Sequence, residues 1–206
     1  ELQKTLRNYK IGNVVELQVV DLSAPDPQPF KVEITLQAFP IPDQIAQMVI
    51  PLVIGLVYLG SGLWVLSLRR YDTTGQVFST FTASVAIAAA GLFEIGTTAQ
   101  LTGLWTFSLA MAGGTMVHLA LLFPREIGPI RKRPFLGWLS YLPTVILLLG
   151  AFPTLFNLRD PLAYILPWRY EYIFIGFAIF FFVGMGVYHR FTAPSPIARQ
   201  QSQIIL

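Results

Sequence analysis

The sequence predicts an all-α polytopic membrane helix bundle, with five transmembrane helices and the start of a sixth, behind a small N-terminal extracytoplasmic β-rich segment. Three observations carry that prediction. Five apolar stretches, at about residues 45–68, 77–95, 104–123, 136–152 and 172–188, are each long enough to cross a hydrocarbon core of roughly 30 Å. The 206 residues are 54% hydrophobic and 12% charged, too few charges to solvate a soluble protein of this size. Residues 1–43, by contrast, are evenly charged and hold two runs in which apolar and polar side chains alternate.

Those runs, residues 14–20 and 30–36, have the period of half-buried strands, and the turn-forming stretch 21–29 between them predicts a long-looped hairpin. Gly12 stands where a helix C-cap would, which predicts one short helix over 6–13. A two-stranded hairpin is marginal alone, so an upstream segment or a partner is expected to complete the sheet. Beyond Asp43 the membrane region runs over 44–203, and residues 204–206 open the expected sixth span. The polar stretch 1–10 lacks the apolar core of a signal peptide, and the start at Glu1 and stop at Leu206 predict a longer parent protein.

Orientation follows from the basic residues. Arg69 and Arg70 come after the first span, Arg125, Arg131, Lys132 and Arg133 after the third, and Arg190 and Arg199 after the fifth. The loop 96–103 has neither Lys nor Arg, and the loop after the fourth span balances Arg159 and Arg169 against Asp160 and Glu171. Excess Lys and Arg marks cytoplasmic loops, so the basic loops are placed on the cytoplasmic side and the N-terminal segment outside. Aromatic residues agree, with Trp105, Trp168, Tyr170 and Tyr172 expected at the outer headgroup level, and Trp138 and Tyr141 at the inner one. The expected membrane anchors are Arg69, Arg70, Arg131, Lys132, Arg133, Trp105 and Trp168. Arg159, Asp160, Arg169 and Glu171 read as a solvated loop whose ion pairs carry little energy.

Several chemistries are excluded. With no cysteine there is no disulfide, thiolate metal site or thioether-linked haem. The net charge of +3 is too small and scattered for a nucleic-acid surface. No His-Glu-x-x-His, phosphate loop or nucleophile elbow is present, so this stretch is not expected to be an enzyme.

Two embedded ionisable residues are candidates for a ligand or pigment site, His118 and Glu94. Ala110, Gly114 and His118 recur at steps of four, which places the imidazole on a small-residue face turned into the bundle. Two readings of His118 stay open. One is a structural hydrogen bond to a carbonyl or to a hydroxyl such as that of Thr115, the commoner use; the other is a ligand, proton or pigment site. Glu94, followed by Thr97, Thr98 and Gln100, either meets interfacial water or senses a cation or polar ligand from outside. No cofactor is required, and pigment or haem at His118 is an option that His189, read as an interfacial anchor beside Arg190, does little to help. Ser84 and Ala88 form a second small-residue pair, which predicts that span two is central. Pro51, Pro143 and the Gly113-Gly114 pair are the expected flexible points.

Two resemblances add to this. Tyr9-Lys10-Ile11-Gly12-Asn13-Val14-Val15-Glu16-Leu17-Gln18-Val19, followed by Lys31-Val32-Glu33-Ile34-Thr35-Leu36, resembles the C-terminal third of a PDZ-like domain. The strand that lines the PDZ peptide groove is outside this match, so the resemblance implies a fold fragment and not peptide binding. Met116-Val117-His118-Leu119-Ala120-Leu121-Leu122-Phe123-Pro124-Arg125-Glu126, then Pro129-Ile130-Arg131-Lys132-Arg133-Pro134 and Tyr141-Leu142-Pro143, with Ser195-Pro196-Ile197-Ala198-Arg199-Gln200-Gln201 later, resemble the multi-helix sensor regions ahead of bacterial histidine kinase, cyclase or GAF modules.

That resemblance implies a homodimeric membrane input region that relays an external or intramembrane cue to a cytoplasmic module. The alternative is an accessory subunit in a larger respiratory or photosynthetic hetero-complex, for which the Phe-rich stretch around Phe180, Phe181 and Phe182 offers a lipid-, quinone- or pigment-facing surface. A transporter is disfavoured by the scarcity of deep ionisable side chains. The expected partners are the lipid bilayer and proteins that pack on its helices.

Overall fold

The computed structural model describes residues 9–20, 28–123, 126, 128–157, 160 and 162–192. Residues 6–8 of the helix expected over 6–13 lie outside these residues, as do loop residues 21–27, Arg125, Arg159, Arg199, the motif at 195–201 and the sixth span; residues 9–13 form a turn and not the expected helix, because the Gly12 amide donates to the Leu36 carbonyl instead of capping a helix. The chain divides into two compact units, Glu1–Ala46 and Gln47–Leu206.

In the first unit, strands β1 (Val14–Val20) and β2 (Pro29–Thr35) pair antiparallel. The register sets Val15 opposite Ile34, Leu17 opposite Val32 and Val19 opposite Phe30, so one face is apolar throughout. A side-chain period of two leaves no other in-register solution, because a one-residue slip would put charge on that face. Glu16 and Glu33 sit opposite each other on the second face, and Lys31 Nζ, 2.6 Å from Glu16 Oε1, offsets their repulsion. Gly12 takes a left-handed conformation (φ 92°) in a turn and not at a helix end, and its amide donates to the Leu36 carbonyl at 2.7 Å, closing the base of the hairpin.

From Ile41 onward, five helices among the described residues are long and apolar enough to span a membrane, and the chain is a multi-pass membrane protein. They are α1 (Ile41–Leu68); the span Thr73–Thr97, made of α2 (Thr73–Ala90) and, past a turn at Gly91, α3 (Leu92–Thr97); α4 (Thr102–Leu122); α6 (Pro134–Ala151), behind a short α5 (Gly128–Lys132); and the apolar body of α7 (Ile165–Thr192). Prolines shape two of them. Pro51 has no N–H to give the preceding turn, and α1 winds as a π turn over Ile45–Val49 just before it. Pro143 does the same in α6, whose first half, Pro134–Tyr141, is a tight 3₁₀ helix and whose second half, Leu142–Ala151, is α-helical.

The centre of the bundle is α4, not the second span that the Ser84/Ala88 pair predicted. The α4 span has 61% of its apolar window buried inside the protein, against 11% to 22% for the other four. The reason lies in how many sides each helix uses. One side of α2 packs on α1, where the Ser79 hydroxyl donates to the Gly62 carbonyl at 2.9 Å, and the other reaches α4, where Trp105 Nε1 donates to the Ala88 carbonyl at 2.9 Å. Helix α4 is covered on three sides, by α2, α6 and α7. A small-residue row reports that neighbours come close, not how many of them there are.

Candidate functional site

The Ala110, Gly114 and His118 row of α4 lies against α6, which runs antiparallel to it. Thr144 Oγ1 donates to the Ala110 carbonyl at 3.1 Å. Gly114 leaves room for the Thr144 hydroxyl and the Tyr141 ring, and Gly137 leaves room for the His118 imidazole; a Cβ at either glycine would overlap those atoms. The two helices therefore meet along a glycine-lined seam, and His118 is carried into it with 5% of its surface exposed. His118 Nδ1 lies 3.3 Å from the Tyr141 hydroxyl, the two rings edge to face with centroids 5.5 Å apart. Thr115 is not the partner, because its hydroxyl donates back to the Met111 carbonyl at 2.6 Å. Sequence reasoning missed Tyr141 in this role, although it is the aromatic hydroxyl that an antiparallel α6 brings level with His118.

Beside this pair is a cavity of about 370 Å³. Thr73, Gln76 and Thr80 line it from α2, His118 and Leu122 from α4, Ile130 from α5, and Pro134, Trp138 and Tyr141 from α6, with Glu126 at its edge. Hydroxyl, amide, imidazole and carboxylate groups stand on several sides around apolar Val77, Leu122 and Ile130, a mixture suited to a small molecule with a few polar groups. Exposed Arg131, Lys132 and Arg133 follow Ile130, so the cavity belongs to the basic end of the bundle.

Glu94 lies far from this cavity in sequence and has its own task. Its carboxylate accepts from the Thr98 hydroxyl and the Gln100 amide, both at 2.5 Å, and from the Leu101 amide at 3.1 Å. Ala99, within this turn, has φ 53°, a left-handed conformation unfavourable for a residue with a Cβ. Glu94 thus clamps the strained connection between the second and third spans. Glu94→Gln is expected to speed hydrogen exchange at the Gln100 and Leu101 amides at least severalfold, with the α4 amides unchanged; unaltered exchange at those two positions would remove the clamp.

The aromatic anchors divide. Trp105, expected at the headgroup level, is 4% exposed and bridges α2 and α4 through its bond to Ala88. Trp168, in the first turn of α7, donates from Nε1 to Thr106 Oγ1 at 3.0 Å and packs against Trp105, the rings tilted by 53° with centroids 4.8 Å apart. Together they fasten α7 to α4. Arg69 and Arg70 are exposed.

Glu171 departs most from its sequence reading. Helix α7 begins at Ile165, so Glu171 is a helix residue and not part of a solvated loop. It is 0% exposed, and neither carboxylate oxygen has a hydrogen-bond partner among the described residues. It shares a buried face with Phe174 and Ala178, and Phe174 rests on Gly113 of α4. The recurrence of buried positions 171, 174 and 178 at helical steps is the signal that could have revealed it. His189 is also buried, 7% exposed, with its ring against Tyr188. Among the described residues no three His, Cys, Asp or Glu side chains gather into a metal-binding group.

Comparison of the chain with protein-family profiles, with curated proteins and with solved structures returns no match. The geometry of the bundle is what bears on function.

Proposed function

We propose that the chain is the sensory input region of a bacterial signalling protein, with its basic loops in the cytoplasm and its cue taken up inside the bundle. The observation that supports this reading is the cavity beside His118 and Tyr141. Its walls come from three spans and the link between two of them, so filling it or emptying it changes their spacing. One wall is compliant. The 3₁₀ segment Pro134–Tyr141 carries Trp138 and Tyr141, and rewinding it to α geometry turns both side chains relative to His118. Helix α7, fastened to α4 at Trp168 and at Phe174, carries a shift of the hub along its 28 residues. In this reading the catalytic step belongs to a cytoplasmic module of the parent protein, which acts as a homodimer.

The reading frame that encodes the chain is expected to continue past Leu206 into a kinase, cyclase or GAF module. In that full-length protein Thr80→Phe, which projects a ring into the cavity, is expected to shift basal output severalfold while the bundle stays folded. A frame that closes directly after Leu206, or an unchanged output from a folded Thr80→Phe protein, would reject the proposal. Co-migration with a large coloured complex on native electrophoresis would put an accessory-subunit role in its place.

A further inference from the structure

A second cavity, of about 350 Å³, lies between α1, α2, α4 and α7 at the basic end. It shares no lining residue with the His118 cavity, and the two open on different sides of the α2–α4 contact. Its walls are largely hydrocarbon, from Val65, Phe78, Leu119, Phe123 and Phe182, with Thr74 and Gly75 of α2 beside them. One charged side chain lines it, Arg69. The nearest acid, Asp72, meets Arg69 Nη1 at 3.5 Å, a long contact between two solvent-facing side chains that holds one edge of the guanidinium weakly. The rest of its fan of donors has no partner among the described residues.

We propose that this slot binds an anionic phospholipid from the leaflet that the basic loops face, one acyl chain against the phenylalanine walls and the phosphate on Arg69. Three observations select that occupant. The lining is an amphiphile's complement, since a soluble phosphate would gain nothing from three phenylalanines, and a zwitterionic lipid gains less from the guanidinium than an anionic one because its own ammonium offsets the phosphate charge. The depth fits: Arg69 directly follows the last turn of α1, and Val65 lies one turn inward, about 6 Å, which spans the step from headgroup to hydrocarbon. The Arg69–Arg70 pair adds a second cation at the same level, and the Arg70 guanidinium lies 5.9 Å from the ring of Tyr71, which is 92% exposed and suited to the interface. A bound lipid would join α1, the most peripheral span, to the hub α4 through a contact that the protein alone leaves open.

The test is native mass spectrometry of the full chain released from nanodiscs holding equal phosphatidylglycerol and phosphatidylcholine. Phosphatidylglycerol is expected to be retained over phosphatidylcholine by about fivefold, and Arg69→Gln to bring the two to parity. Val65→Trp, which fills the slot, is expected to abolish retention of both, and millimolar inorganic phosphate to displace neither. Equal retention of the two lipids by the unaltered chain would overturn the proposal, as would undiminished preference in Arg69→Gln. Displacement by inorganic phosphate would assign the site to free phosphate instead. If Val65→Trp fails to fold, the preference of the unaltered chain and its loss in Arg69→Gln still decide.

Discussion

Replacing Glu171 with leucine is expected to raise the unfolding free energy of the detergent-solubilised bundle by about 1–3 kcal/mol. The carboxyl is 0% exposed and neither oxygen is hydrogen-bonded among the described residues, so the folded state bears the desolvation penalty without a compensating contact there. Leucine keeps the volume and removes the polar atoms. The neighbouring buried positions Phe174 and Ala178 already give that face an apolar character that leucine continues. Thermal unfolding followed by tryptophan emission measures the effect, since Trp105 and Trp168 lie on the same α4–α7 contact. A lower midpoint for Glu171→Leu would show that the carboxyl has a stabilising partner, and would contradict its unpartnered state. An intramembrane carboxyl kept at such a cost is a functional candidate by default. A stabilised Glu171→Leu protein with altered signalling output would mark a residue held for function and not for the fold.

The second large effect is expected at the α4–α6 seam. Gly114→Ala places a methyl group on the Thr144 hydroxyl, with the Tyr141 ring 3.2 Å and the Ser140 carbonyl 3.5 Å away. These are neighbours on a packed helix, so the two backbones must part, and overpacking of this kind costs about 1–3 kcal/mol. Gly184→Ala on α7 is the internal control, because a methyl group there meets nothing within 4 Å, and it is expected to stay within about 0.5 kcal/mol of the unaltered chain. Matching unfolding midpoints for the two variants would refute close contact along the seam. The same parting would lengthen the 3.3 Å His118–Tyr141 contact and open the cavity beside it, so Gly114→Ala tests the site as well as the packing.

Much of the fold can be read residue by residue. The alternation of Val15, Leu17 and Val19 with Glu16 and Gln18 specifies the hairpin and its register, because side chains in a strand alternate faces whatever surrounds them. The Ala110, Gly114 and His118 steps show that the imidazole points inward, since a helix row is set by its own 3.6-residue period. What the row cannot show is who sits across it. Thr115 was the nearer hydroxyl in sequence, yet it is on the same helix and bonds its own backbone; Tyr141 comes from a different span. Tryptophan's preference for the headgroup depth puts Trp105 at the lipid interface in sequence, but an indole near a helix end serves an interface and a buried Ala88 carbonyl equally well, and only packing distinguishes them. In sequence Glu171 reads as loop, because the apolar run of the expected span begins at Tyr172, one residue beyond it.

The sequence by itself determined that this chain is a multi-pass membrane protein, with five helices among the described residues long and apolar enough to cross a bilayer, and that a β-hairpin precedes them. Those properties depend only on run length, composition and period, measured against a hydrocarbon core of roughly 30 Å and a two-residue pleat. Tertiary structure alone decided that α4 is the hub, that His118 meets Tyr141 over a glycine seam, that Glu171 is sealed without a partner, and that two cavities flank the α2–α4 contact at the basic end. In water a burial pattern reports which face of a helix meets protein. In a bilayer, lipid and protein neighbours are equally apolar, so the faces look alike in sequence until the helices have packed.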